Sequence, residues 1–138
     1  MLKESQVENI LRGYLISKGW RLTNLPKGIG EGGIDIKAYH PISRKVLLVE
    51  VKGDGKAKHQ TLHNGFYTIL GQILFRMYKQ GNDQKKARTY ALAIPAHWET
   101  PFKKKVKQMP WGWNLLRLKV FLVSGKKVEE KNYKQFIK

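Results

Sequence analysis

"GGIDIKAYHPISRKVLLVEVKGDG", residues 32–55, is the stretch on which the fold turns. Two runs rich in β-branched and other apolar residues flank the polar segment "PISRK", the pattern of two strands joined by a turn. Strands are predicted over residues 34–40 and 46–52. Side chains alternate between the faces of a strand. Ile34, Ile36 and Ala38 therefore share one face of the first arm, and Asp35, Lys37 and Tyr39 the other. In the second arm Leu47, Val49 and Val51 oppose Val46, Leu48, Glu50 and Lys52. If the arms pair antiparallel, the apolar faces coincide only in registers that also bring Asp35 beside Glu50 or Lys52. A slip of one residue would put Asp35 among the valines, which burial forbids. The hydrophobic pattern thus predicts acid, acid and amine on one face, with Glu50 and Lys52 ~7 Å apart along the strand.

Outward from this hairpin, residues 4–18 read as a helix, with Val7, Ile10, Leu11, Tyr14 and Leu15 at helical spacing and Gly19 placed to end it. Residues 20–25 suit a short strand, followed by the loop "PKGIGEGG". After the basic loop "GDGKAK", residues 59–79 read as a second helix. Its buried face is predicted to be Leu62, Phe66, Ile69, Leu70, Ile73, Leu74 and Met77. "RTYALAIP" is a strand, residues 97–113 are irregular with a helical turn or two, and residues 115–124 form a late strand before a charged tail. Helix, strands, helix, strand, a helical turn or two and a last strand in this order predict an α/β or α+β fold around one mixed sheet.

At 138 residues the chain suits one domain, residues 1–138, and its 41% hydrophobic share is enough for one packed core. No run approaches about 18 uninterrupted apolar residues, so no membrane span is expected. The start "MLKESQVENILRGYL" carries acids early and has a helical rather than signal-like pattern. Cysteine is absent, which excludes disulfides and thiolate zinc sites. A cytoplasmic location follows as the expectation. Lys and Arg number 27 against 10 Asp and Glu, a net charge of +17. A chain this basic draws polyanions through counterion release, so nucleic acid is the expected partner. A generically basic role and an anionic membrane surface are the alternatives that charge alone leaves.

Two carboxylates converging on one spot repel unless a cation lies between them. Magnesium suits such a site, taking one or two carboxylates together with water and a substrate phosphate. A neighbouring amine can orient or deprotonate the attacking water and offset charge on the phosphate. These are the parts for hydrolysing a phosphodiester. Glu-x-Lys is also a common solvent-facing strand pattern. This copy is set apart by the preceding Gly-Gly-Ile-Asp, the fifteen positions from Asp35 to Glu50, the "VLLV" run and the glycines that follow.

"GGIDIKA" and "VLLVEVKG" together resemble the PD-(D/E)xK nuclease superfamily, the restriction-endonuclease-like fold, over residues 7–77. The resemblance implies a mixed sheet flanked by helices, with the first-strand acid at Asp35, the second acid at Glu50 and the lysine at Lys52. It also implies the main-chain carbonyl of Val51 as a metal ligand beside Asp35 and Glu50, and a first-helix glutamate that maps best onto Glu8, with Glu4 the runner-up. The departure is Ile34, where the family motif has proline. Archaeal Holliday junction resolvases and VRR-NUC nucleases are similar in size and layout. "LGQILFRM", residues 70–77, resembles the excision-controlling nuclease-like proteins of cyanobacterial mobile elements.

On the second helix Gln60, Asn64, Thr68, Gln72 and Arg76 recur every four residues, either as a solvated face or as a polar ridge beside the active site. Some family branches place a glutamine on this helix, which singles out Gln72. His59 and His63 have a zinc-compatible spacing without a convincing third ligand. Close approach to a nucleic-acid backbone would suit "KGIGEGG", and "KKKVK" and "GKK" are phosphate-facing candidates. Trp111 and Trp113 suit a core plug or a dimer contact better than a base-stacking platform.

The expectation is a Mg2+-dependent DNA endonuclease, with Mn2+ as a substitute metal, using Glu8, Asp35, Glu50, Lys52 and Gln72. Branched DNA is the preferred substrate, because the chain is short for an elaborate specificity domain, and a symmetric homodimer would suit paired cuts. The alternatives are a sequence-specific nuclease of a mobile element or restriction system, and a non-catalytic nucleic-acid-binding module.

Overall fold

The structure, a computed structural model, describes residues 1–26, 33–55, 58–80 and 88–138, the side chains of 58–61 and 78–80 excepted. Most of the glycine-rich loop "KGIGEGG" and the side chains of His59 and Gln60 therefore lie outside the described residues. Helix α1 (Glu4–Ser17) buries Val7, Leu11 and Leu15, the row predicted from helical spacing. It ends at Gly19, whose φ of 89° favours a residue without Cβ. There Gly19 N–H bonds to Ile16 O and Trp20 N–H to Leu15 O, each at 3.0 Å, the paired bonds of a Schellman cap.

The hairpin strands β2 (Ile36–Tyr39) and β3 (Val46–Val51) pair antiparallel, with Ile36 opposite Val49 and Ala38 opposite Leu47. This is the register that the apolar faces require. One assignment shifts: β2 begins only at Ile36, and Ile34 packs with the opposite core from Ile36 and Ala38. The alternation does not extend back past the start of the strand.

Helix α2 (Lys58–Gln80) carries the chain from β3 to the parallel strand β4 (Arg88–Pro95). Strand β5 (Lys119–Val123) runs parallel to β4, and β6 (Val128–Lys131) returns antiparallel. With β1 (Arg21–Leu22) beside β2, the six-stranded mixed sheet has the order β1-β2-β3-β4-β5-β6. Between β4 and β5 lie a 3₁₀ turn (Ala96–Trp98), α3 (Glu99–Val106) and α4 (Pro110–Leu116); α5 (Tyr133–Phe136) closes the chain. The fold is α/β, with helices flanking the mixed sheet.

Two cores follow from the alternation of the strands. Val7, Leu11 and Leu15 of α1 meet Ile36, Leu47, Val49, Ala91, Ala93 and Phe121 on one face. Phe66, Ile69, Ile73, Trp98, Phe102, Trp113 and Phe136 cover Leu92, Ile94, Val120 and Leu122 on the other. Trp113 is a core plug, fully buried with Nε1–H donated to Tyr133 O at 2.9 Å, whereas Trp111 is 84% exposed. Replacing Trp113 by alanine would cost about 3–5 kcal/mol through the cavity left behind. Leu74, predicted in the buried face of α2, is instead exposed. It falls at the margin of a stripe already filled by Phe66, Ile69, Leu70 and Ile73.

The segment expected to be irregular contains two helices, and the charged tail contains β6 and α5. Strand β6 carries three charged residues, Glu129, Glu130 and Lys131, with a single apolar one, Val128. As an edge strand it needs little apolar alternation, and its charges discourage further strand addition. Glu130 accepts from Tyr14 Oη at 2.5 Å, and Lys131 bonds Glu99 at 2.6 Å. Among the described residues no helix is long and apolar enough to cross a membrane.

Candidate active site

The register that pairs Ile36 with Val49 continues one step to put Asp35 opposite Glu50. Asp35 Oδ2 accepts the Val51 N–H at 2.8 Å, which fixes the first acid to the end of β3. The two carboxyl groups are themselves hydrogen-bonded. Glu50 is only 1% exposed in a sheet otherwise apolar at this depth. Burial foremost, then the hydrogen bond and charge of Asp35, push its carboxyl up to about 8, against the opposing pull of Arg76. Near neutrality this acid pair therefore holds on to a proton. It is the most strongly perturbed carboxyl pair among the described residues.

Arg12 supports the pair from below. Its guanidinium is almost fully buried and donates to Glu8 Oε2 at 2.9 Å, to Asn24 O at 2.8 Å and to Asp35 O at 2.8 Å. Asn24 adds Nδ2–H bonds to Ile34 O and Asp35 O, while its Oδ1 accepts from Lys37 N–H. The backbone of Asp35 is thus clamped on both sides before its carboxylate is used for anything. Glu8, one turn before Arg12 on α1, has Arg12 as its partner and acts as the counter-charge of that clamp.

Lys52 follows the last residue of β3, and its Nζ lies 3.5 Å from Glu4 Oε1. Of the two first-helix acids, it is Glu4 that reaches the lysine. The approach depends on Gly53: a Cβ there would sit 2.2 Å from Glu4 N and 2.5 Å from Lys3 C, both backbone atoms. Asp54 then ties down the same end of α1, accepting Leu2 N–H at 2.9 Å while its own N–H bonds Leu2 O at 2.8 Å.

The polar ridge of α2 meets the site through Arg76. Its Nε–H bonds Glu50 Oε1 at 2.9 Å and its Nη2–H bonds Gly33 O at 2.8 Å. Gln72, one turn earlier and half-buried, makes no hydrogen bond among the described residues. His63 bonds Lys105 at 2.9 Å and stacks edge-on against Tyr67. Among the described residues no group of three or more His, Cys, Asp or Glu side chains could hold a metal. The donor set is instead one pair of carboxylates.

That pair fits a hard divalent cation in kind and charge. Both donors are oxygen, and the raised carboxyl of Glu50 beside Asp35 marks a place short of positive charge. Asp35 and Glu50 would hold the ion, in company with the Val51 carbonyl that the sequence resemblance implies. Arg12, Asn24 and the coupling of Arg76 to Glu50 are the parts that sequence reasoning missed. Arg76 was visible as the end of the four-residue ridge, and Arg12 as the partner of Glu8 one turn along. Nothing in the sequence points to Asn24.

No protein-family model matches the chain, and no curated protein does. The fold is shared with solved structures. An XisH family protein from Nostoc punctiforme superposes with a TM-score of 0.63 at 21% identity, covering 91% of this chain and 97% of the other. An fdxN element excision controlling factor protein from Anabaena variabilis superposes with a TM-score of 0.64, also at 21% identity, covering 92% and 97%. The likeness runs over almost the whole of each chain and concerns the fold.

Proposed function

We propose that this chain is a Mg2+-dependent DNA endonuclease, with Mn2+ as a substitute metal, built on a restriction-endonuclease-like core. The observation that carries the reading is the Asp35–Glu50 pair, held carboxyl to carboxyl at the end of the hairpin with one acid pushed up to about 8. Asp35 and Glu50 hold the metal, and when bound it supplies the charge that stabilises the attacked phosphate. Lys52 positions the attacking water and faces the phosphate, with Glu4 orienting its ammonium. Glu8 and Arg12 act on Asp35 through its backbone. Gln72 extends the site towards the nucleic acid. The net charge of +17 supplies the grip on the polyanion.

Branched DNA is the favoured substrate, since no element among the described residues is a dedicated base-reading module, and a symmetric homodimer would make paired cuts. A second reading has its own support. The likeness to an excision controlling factor favours a nuclease of a mobile element, acting at a defined sequence. Cleavage with Mg2+ of a four-way junction, a flap, linear duplex and single strands tests both. Preferential cutting of the junction supports the first reading, and cutting of linear duplex at one sequence supports the second. No metal-dependent cleavage of any of the four would leave a non-catalytic DNA-binding module.

A further inference from the structure

Beyond the acid pair, the same end of the sheet carries a second organised group that the proposed chemistry does not use. Strands β3 and β4 run parallel, and their carboxyl ends lie together, with Lys52 N–H bonded to Ala93 O at 2.9 Å. Ligands of parallel sheets gather outside such ends. Asp54 lies two residues past Lys52, and His97 two residues past the end of β4. There His97 Nε2 lies 2.9 Å from Asp54 Oδ1.

Asp54 is well anchored. Its carboxylate also accepts the Trp98 indole N–H at 2.8 Å and the Leu2 N–H at 2.9 Å. Burial alone would raise its carboxyl, but the hydrogen bonds from Leu2, Trp98 and His97 and the charge of His97 together hold it below the usual value. It stays ionised near neutrality and can only accept, so Nε2 of His97 carries a proton. The Trp98 ring that fixes it is packed in turn against α2, at 3.0 Å from where a Cβ on Gly65 would sit.

The imidazole itself is different. Its side chain is 61% exposed, and its Nδ1 makes no hydrogen bond among the described residues. The core does not need this ring, yet an almost buried carboxylate sets its orientation. When the ring is protonated, Nδ1–H is a donor whose direction Asp54 fixes, at the same end of the sheet as Lys52. We propose that His97, oriented by Asp54, is a phosphate-contacting residue that holds the nucleic-acid backbone next to the acid pair. Asp54 is its positioning residue.

Among the described residues, the charged side chains on the surrounding elements have partners of their own. Lys52 pairs with Glu4, and Glu99, on the following turn, pairs with Lys131. This inference rests on the DNA-binding half of the proposed function and not on cleavage. It is tested by equilibrium binding of a labelled linear duplex without divalent cations, over a range of salt, for the parent chain and His97→Ala. Each charged phosphate contact adds about 0.9 to the log–log salt slope on duplex DNA. At about pH 6 the slope for His97→Ala should be shallower than the parent's by about 0.9. His97→Arg should restore the parent's steeper slope, and Asp54→Asn should shift the slope in the same direction as His97→Ala. Melting curves confirm that the exposed-site variants fold. Equal slopes for the parent and His97→Ala overturn the proposal, as does a shallower slope that His97→Arg leaves unrestored. A parent chain that does not bind DNA removes the DNA-binding reading and this inference with it. Binding without metal-dependent cleavage removes only the nuclease chemistry.

Discussion

Glu50 and Asp54 are four positions apart, both nearly buried, and their environments push them in opposite directions. Glu50 meets another carboxyl, and burial with that neighbour outweighs the single guanidinium of Arg76, so its carboxyl rises to about 8. Asp54 meets three donors, from Leu2, Trp98 and His97, and these outweigh burial, so its carboxyl falls. Burial raises both carboxyls; the donors around Asp54 outweigh it, and the single guanidinium beside Glu50 does not. One acid is satisfied by the protein and serves as an anchor. The other, even with Arg76 beside it, is left short of positive charge, a want that the proposed metal would meet.

The largest effect should come from relieving that want. Asp35→Asn and Glu50→Gln are each expected to abolish Mg2+-dependent cleavage while leaving DNA binding intact or tighter, because each removes a metal donor and a repulsive charge. A variant that cuts at the parent's rate would take its residue out of the metal site. Next in size, Lys52→Ala should lower turnover by ~10²–10³ with little change in DNA affinity, since it is one cation among 27. Single-turnover rates set against binding constants read the split; a loss confined to affinity would make Lys52 a surface contact.

The comparison can also be read without any DNA. In the metal-free protein Glu50 binds a proton more tightly when folded than unfolded, so its contribution to stability falls as pH rises from about 4.5 to about 8. Glu50→Gln should remove that fall and melt higher than the parent at the alkaline end. Melting temperatures across this range decide it, and parallel curves for the two proteins would contradict the assigned environment. Asp54 has the opposite sign: its stabilisation is present above its unfolded value near 3.8 and is lost as pH drops through its lower folded value. The smallest effect is Asp54→Ala, which leaves the Leu2 and Trp98 N–H groups without their acceptor and should cost about 1–3 kcal/mol of unfolding free energy at neutral pH by denaturant titration.

Much of this site could be read along the chain because alternation is a local rule. Placing Ile36 and Ala38 with Leu47 and Val49 left Asp35 a single neighbourhood, and the sheet has that register. The late helices and β6 were not legible for a different reason. Short helices such as α4 give two turns of pattern, and an edge strand gives almost none. The different partners of the two first-helix acids, Arg12 for Glu8 and Lys52 for Glu4, were likewise beyond the sequence. Both acids lie on one face of α1, and the close approach of Gly53 to the start of that helix is what brings Glu4 to Lys52.

By itself, then, the sequence determined the hairpin, its register, the mixed sheet with flanking helices, the basic surface and the meeting of Asp35 with Glu50. Each of these follows from periodicity or charge over a few neighbouring residues. Only the tertiary structure decided how strongly the acids are perturbed and what braces them. Arg12 reaches Asp35 across 23 positions, Arg76 reaches Glu50 across 26, and His97 reaches Asp54 across 43. The strength of such contacts depends on solvent exclusion by the folded sheet and its helices, and no local pattern of residues encodes that.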